Sequence, residues 1–205
     1  MSYFGLPSKA PGVGAPAAIQ LLWLVPLTPK KKNMADYEVK STNTKDFNLT
    51  KADALVGRLK YESWYSFKAE IQLVSGDANF TIRPKGFWGT TIEVKHNERT
   101  LLDFEMNWKG QIIINSKISD IGQCFIIKQI SILKNIFVLL SNEEKLLTIK
   151  PNLQWSKMNF DYQLISTDAF ENLENKELLL LTAIHCTNYY ITMMTSTVVA
   201  TMAGI

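Results

Sequence analysis

From Glu177 the chain reads Glu177-Leu-Leu-Leu-Leu-Thr-Ala-Ile-His-Cys-Thr-Asn-Tyr-Tyr-Ile-Thr-Met-Met194, and no side chain from Leu178 to Ile205 carries a formal charge. A helix that is apolar nearly all round belongs in a protein core or in a bilayer, and about 20 such residues span roughly 30 Å of either. Composition favours protein. Thr182, His185, Thr187, Asn188, Thr192, Thr195, Ser196, Thr197 and Thr201 are polar, and no basic residue follows them to set a membrane orientation. Thr182, His185, Tyr189, Thr192 and Ser196 are spaced three and four apart and so share one face, a polar seam along the central helix. Each unpaired group of such a seam costs on the order of 1–3 kcal/mol when buried, so the rest of the chain has to supply a cavity with partners.

The 205 residues are 46% hydrophobic and 20% charged, which is material for one domain with a generous core. A formal net charge of +3, with three cations together at Lys30, Lys31 and Lys32, leaves no nucleic-acid footprint. Cys124 and Cys186 lie far apart without a CxxC or a His-rich neighbourhood, which argues against a disulfide framework or a zinc site and points to a reducing cytoplasm. Residues 1–33 carry Pro7, Pro11, Pro16, Pro26 and Pro29 among Gly5, Gly12 and Gly14, and read as a poorly ordered extension. The domain is expected over 34–205, with Met34 a candidate start. The apolar run 17–25 has its basic residues behind it and no small-residue cleavage site, which is not the layout of a signal peptide.

Between 37 and 165 short alternating runs are separated by turn residues at spacings of about 8–12, the mark of an all-β sandwich or barrel. The clearest run is 61–74, with Tyr61, Ser63, Tyr65, Phe67, Ala69, Ile71 and Leu73 on one face. Pro84-Lys85-Gly86 is expected to turn the chain before a strand at 87–95, in which Trp88, Thr90, Ile92 and Val94 share a face. His96-Asn97-Glu98-Arg99 reads as a polar hairpin loop. Leu102, Phe104, Met106 and Trp108 read as one inner face, and Lys109-Gly110 as a tight turn. Runs at 123–130, 136–140 and 146–149 are almost continuously apolar, and Met158, Phe160, Tyr162 and Leu164 alternate in the last strand.

Eleven or twelve strands are too many for one open twisted sheet. They must close into a barrel or split into two packed sheets, in either case all-β with the hydrophobic C-terminal helix to cover. Asp168 and Glu171 resemble a capping box and place the helix start near Ala169. An unbroken helix to Ile205 would exceed about 50 Å and outrun the wall, so it is expected to break or protrude. The enclosed part is expected at 178 to about 196, packed through Leu180, Ile184, Ile191 and Met194.

Val56-Gly-Arg-Leu-Lys-Tyr-Glu-Ser-Trp-Tyr-Ser-Phe-Lys-Ala69 and Leu178-Leu-Leu-Leu-Thr-Ala-Ile-His-Cys-Thr-Asn-Tyr-Tyr-Ile-Thr-Met-Met194 together resemble a bacterial branch of the tubby C-terminal-like superfamily. That superfamily includes tubby-like, LURP-one-related and phospholipid scramblase-like proteins. The resemblance covers approximately 34–205 and implies the expected fold, all-β with one central helix: a closed antiparallel barrel of about twelve strands enclosing the hydrophobic C-terminal helix. It also implies an association with membranes: tubby domains bind phosphoinositide headgroups through basic residues of the barrel wall, and scramblase-like members are associated with calcium. Neither function transfers residue by residue, and hydrophobic patterns of this kind bear on fold more than on function.

No nucleotide-binding loop, nucleophile elbow or Cys/His ligand set is present in the sequence, so the chain reads as non-enzymatic and without a cofactor. His96 is expected to be a solvated turn residue. His185 is expected to be buried and bonded to the barrel wall; its neighbour Cys186 points about 100° away and is no partner for it. Asp103 and Glu105 read as outer-surface charge rather than as a calcium site. Arg83 and Lys85 flank Pro84, with Lys68 and Lys95 on neighbouring strands, and these four form a candidate patch for an anionic phospholipid headgroup. The chain is thus expected to be a cytoplasmic binding or structural module at the periphery of a membrane, with no nucleic-acid partner. The alternative is a β-domain tail-anchored through 178–205.

Overall fold

The computed structural model describes residues 36–63, 66–86, 90–119 and 121–203, without the side chains of Asp77, Lys157 and 196–203. The chain divides after Lys31. The first unit, and with it the expected extension 1–33, lies outside the described residues.

Twelve strands follow one another as β1 (Asp36–Ser41), β2 (Asp46–Lys51), β3 (Ala54–Tyr61), β4 (Ala69–Leu73), β5 (Ala78–Lys85), β6 (Thr91–His96), β7 (Arg99–Met106), β8 (Ile112–Ser116), β9 (Gln123–Ser131), β10 (Ile136–Ser141), β11 (Glu144–Gln154) and β12 (Asn159–Ser166). Each pairs antiparallel with its sequence neighbour, and β1 pairs with β12 to close the barrel. Two helices complete the chain, α1 (Asp168–Glu171) and α2 (Lys176–Ala203). The fold is the expected one.

Alternation puts one side of each strand inside. Tyr37 and Val39 of β1, Ile71 of β4, Leu102 and Phe104 of β7 and Leu164 of β12 are buried in one continuous core with Leu178, Leu180, Leu181 and Ile184 of α2. The run 61–74 is not one strand: Tyr61 ends β3 and pairs with Ala69, which begins β4, across a connection at 62–68. The alternation carries through because that connection has seven residues, so both inward-facing sets fall on odd numbers. Pro84 does not turn the chain either; it pairs with Ile92 inside β5. Of the strand expected at 87–95, β6 begins at Thr91, and Trp88, like Tyr65 of the earlier run, lies outside the described residues. Trp108 and Met158, read as inward, are both exposed, in the connections after β7 and β11.

The helix breaks, as its length requires. Thr167, not Asp168, caps α1: its Oγ accepts from the Phe170 amide. After one turn the chain leaves helical geometry, with Asn175 at φ 54°, and re-enters it as α2. Glu171 therefore serves a different purpose from a capping box. Its carboxylate accepts from Tyr37 of β1, Lys51 of β2, Ser166 of β12 and Lys176 of α2, at 2.6–3.2 Å. These partners straddle the seam where the barrel closes, so one side chain ties first strand, last strand and helix together.

Residues 178–189 are buried apart from the half-buried Asn188, and α2 is exposed from Thr192 to Thr195. Enclosure ends a full turn before Ser196. Of the expected packing face, Leu180 and Ile184 are fully buried, Ile191 is half-buried and Met194 is exposed. The helix lies close to β3, where a Cβ on Gly57 would stand 2.9 Å from the Gln72 carbonyl oxygen and 2.9 Å from Leu181 Cδ1.

Gly57→Ala is expected to lower stability by about 1–3 kcal/mol through overpacking, read from chemical denaturation. Burial raises the pKa of Glu171, but hydrogen bonds from Ser166, Lys51, Tyr37 and Lys176 outweigh it and lower the value from 4.5 to about 2. The unfolded carboxylate takes up its proton first as pH falls, so the stabilisation is complete above 4.5 and disappears as pH drops towards 2. Glu171→Gln should cost about 3 kcal/mol at pH 7, and the gap between variant and parent should close over that acid range in denaturation curves taken at a series of pH values.

Candidate functional site

A meander in a barrel sends its connections alternately to the two ends. The connections 42–45, 107–111, 132–135 and 155–158, with the described residues of 62–68 and 86–90, lie at the end where α2 emerges, here called the exit end. The connections 52–53, 74–77, 97–98, 142–143 and 167–175, with the described residues of 117–122, lie at the entry end. Three of the latter are two-residue turns with both φ angles positive, Ala52-Asp53, Asn97-Glu98 and Asn142-Glu143, a geometry matched to strand twist.

The ends differ in chemistry. Exit-end connections contain Lys45, Lys68, Lys109, Lys134 and Lys157 against Glu62 alone, four net positive charges. The described residues of the entry-end connections include seven carboxylates, from Asp53 to Glu174, against Lys117, six net negative charges. Among the described residues the tryptophans of the barrel, Trp108 and Trp155, belong to exit-end connections, and the entry-end connections hold no Trp or Tyr.

Three successive exit-end hairpins repeat one arrangement, an apolar tip followed by lysine: Trp108-Lys109, Ile132-Leu133-Lys134 and Trp155-Ser156-Lys157-Met158. Trp108 is 89% exposed, Leu133 101% and Trp155 77%, and Ile132 and Met158 are equally open. Lys109 Nζ stands 5.1 Å from the centre of the Trp108 ring. Met193 and Met194 add partly exposed apolar surface where the helix leaves the wall.

The four basic residues singled out in the sequence do gather on neighbouring strands, but mostly with carboxylates beside them. Arg83 pairs with Glu62 at 2.7 Å, while Lys85 and Lys95 share Glu93 at 3.1 and 3.0 Å. Glu93 is held below the usual carboxylate range by Lys95, against the effect of its own burial, with Lys85 assisting. Lys68 is exposed and belongs to an exit-end connection.

At Thr182 and His185 the polar seam of α2 does not meet polar partners. Thr182 Oγ and both ring nitrogens of His185 are buried without a hydrogen bond, so the expected bond from His185 to the wall is absent. Packing fixes the ring instead: it stacks on Tyr61 at 5.3 Å and meets the edge of Phe104 at 5.6 Å. Burial lowers its pKa from 6.5 to about 3, which keeps it neutral. Tyr189 packs against Phe67 at 4.7 Å, Thr192 is exposed, and the side chain of Ser196 lies outside the described residues. The polar contact of the helix comes from Asn188, off the seam. Tyr162 donates its hydroxyl to Asn188 Oδ1, and Asn188 Nδ2 donates to Tyr61 Oη at 3.1 Å. No periodicity in the helix marks Asn188, because its partners stand on strands far away in sequence.

His96 is more than a solvated turn residue: its Nδ1 lies 2.8 Å from the Asn79 carbonyl oxygen. Asp103 pairs with Lys117 and accepts from Asn115. Among the described residues no three His, Cys, Asp or Glu side chains converge as a metal site. Cys124 and Cys186 are free. A cavity of about 480 Å³ opens at the entry end between Leu102, Ile118, Phe125, Leu173 and Leu179, and another of about 300 Å³ at the exit end beside Tyr61 and Asn188. No protein-family model, no curated protein and no solved structure matches the chain.

The unfolded imidazole gains a proton near 6.5 whereas His185 stays neutral down to about 3, so acid favours the unfolded state by up to about 1.4 kcal/mol per pH unit in that window. His185→Phe should remove this slope between pH 6.5 and 4.5, where Glu171 does not yet titrate in either state. Urea titrations across that range check it.

Proposed function

We propose that this protein is a non-enzymatic module that adheres to anionic phospholipid surfaces through the exit end of its barrel, as a peripheral protein at the cytoplasmic face of a membrane. The observation that carries the reading is the segregation of charge and tryptophan: apolar tips interleaved with lysine at one end, carboxylates at the other. Tryptophan partitions to the bilayer interface, and each lysine near an anionic leaflet contributes about 1 kcal/mol. Acidic connections at the far end orient the molecule, since the anionic surface repels them. Lys68 joins this rim and Lys85 borders it, whereas Arg83 and Lys95 are held by Glu62 and Glu93. The barrel closed around a helix supports the resemblance to the tubby C-terminal-like superfamily, and that kinship is part of the proposal.

The helix belongs to the barrel in this reading rather than to a lipid anchor. Residues 178–189 are already covered by the wall or half-covered at Asn188, and no helix of the described residues is long and apolar enough to cross a membrane.

Flotation with vesicles tests the proposal. The protein should rise with phosphatidylserine-containing vesicles at low salt and remain behind with neutral ones. Lys109→Glu with Lys134→Glu should reduce bound protein at least tenfold, and Trp108→Ser with Leu133→Ser should weaken adhesion at every salt concentration. All four side chains are at the surface, so folding should be unaffected. Arg83→Ala with Lys85→Ala should change adhesion less than twofold. Equal flotation with neutral and anionic vesicles would sink the reading.

A further inference from the structure

The exit-end cavity has walls and a floor of different chemistry. Phe47, Phe67, Phe160 and Ile191 make its sides apolar, and its volume of about 300 Å³ has room for about ten water-sized groups. Its floor is the relay from Tyr162 through Asn188 to Tyr61. A phenol donates one hydrogen bond, and a side-chain amide donates two. Tyr162 uses its proton on Asn188 Oδ1, and one Asn188 N–H is used on Tyr61 Oη. The Tyr61 O–H and the second Asn188 N–H have no acceptor among the described residues, and both side chains line the cavity. Tyr61 is only 8% exposed, so water does not freely satisfy it. Burial pushes its phenol pKa up, which keeps the proton in place as a donor.

The complement of such a site is an oxygen that only accepts, carried on an apolar chain. Among the described residues no lysine or arginine lines the cavity, so a carboxylate would lie there without a counter-charge; a neutral carbonyl fits. The mouth is lined by the exposed Thr44, Met158 and Thr192, at the exit end that carries the apolar tips. We propose that this cavity takes the acyl ester of a single membrane phospholipid, its carbonyl oxygen accepting from Tyr61 and Asn188 and the first part of its chain lying between Phe67, Phe160 and Ile191. The proposal rests on the membrane-docking reading for its source of lipid, and it adds a defined stoichiometry and a specificity for ester linkage.

The full chain is incubated with phosphatidylserine vesicles doped with a pyrene-acyl phosphatidylcholine, stripped from them at high salt and separated by gel filtration; pyrene is then counted per protein. About one lipid per chain is expected. Thr192→Trp, which fills the mouth from an exposed position, should reduce retention at least tenfold, and Tyr61→Phe several-fold, while both variants still float with anionic vesicles. An ether-linked analogue should bind parent and Tyr61→Phe equally weakly. Monomeric dihexanoyl phosphatidylcholine, titrated calorimetrically without vesicles, should give heat with the parent and none with Thr192→Trp, and this arm does not depend on docking. Flotation without either retained pyrene or calorimetric heat overturns the cavity assignment and leaves membrane adhesion standing. Heat without flotation supports the cavity and overturns the adhesion.

Discussion

A closed wall of twelve strands has an interior too wide to be filled by its own inward side chains, since about eight strands is the size at which they suffice. Everything inside this molecule follows from that constraint. The gap admits one α-helix, which must be apolar on every side because wall surrounds it on every side, and residues 178–187 answer that need. The fit is close enough that β3 carries glycine where Leu181 approaches. It is imperfect at Thr182 and His185, whose polar atoms are buried without partners. Such groups cost about 1–3 kcal/mol each, and the stacking of His185 on Tyr61 recovers part of that through apolar contact.

Closure itself has a weak place, the pairing of first strand with last, which needs the longest chain separation in the barrel. Glu171 sits at that place with partners on β1, β2, β12 and α2. The short α1 and the break after it position that carboxylate. Breaking the helix also lets α2 start inside the mouth rather than projecting through it.

The two ends of the barrel have separate chemistry because a meander places alternate connections on opposite rims, so a pattern repeating at every second connection becomes a surface. Three two-residue turns at the entry end carry Asp53, Glu98 and Glu143 at positive φ. Every exit-end connection has at least four residues, with room for tips such as Trp108-Lys109 and Ile132-Leu133-Lys134. The docking end and the cavity beside Tyr61 share one rim for this reason, and the emerging turn of α2 contributes to both.

Alternation along each strand, the number of runs and an uncharged C-terminal segment were enough, from sequence alone, to specify an all-β fold of about twelve strands with an enclosed C-terminal helix, because burial leaves a period of two in strands and a continuous apolar run in an enclosed helix. Closure into one barrel rather than two sheets was implied by the resemblance and is decided by the pairing of β1 with β12. Periodicity says nothing about where a strand stops. Trp108 and Met158 keep the parity of their strands yet lie beyond the last ladder pairs, and 61–74 kept one rhythm through a change of direction. The same blindness made Thr182 and His185 look like a seam awaiting partners, while Asn188, with no mark in the helix pattern, found Tyr61 and Tyr162. Contacts of that kind join residues more than a hundred positions or a full helix apart, and only barrel closure decides which of them meet. The basic residues show it most plainly: the sequence put Arg83, Lys85 and Lys95 near one another, but register placed Glu93 between two of them, while Lys109 and Lys134 of the exit-end tips are exposed.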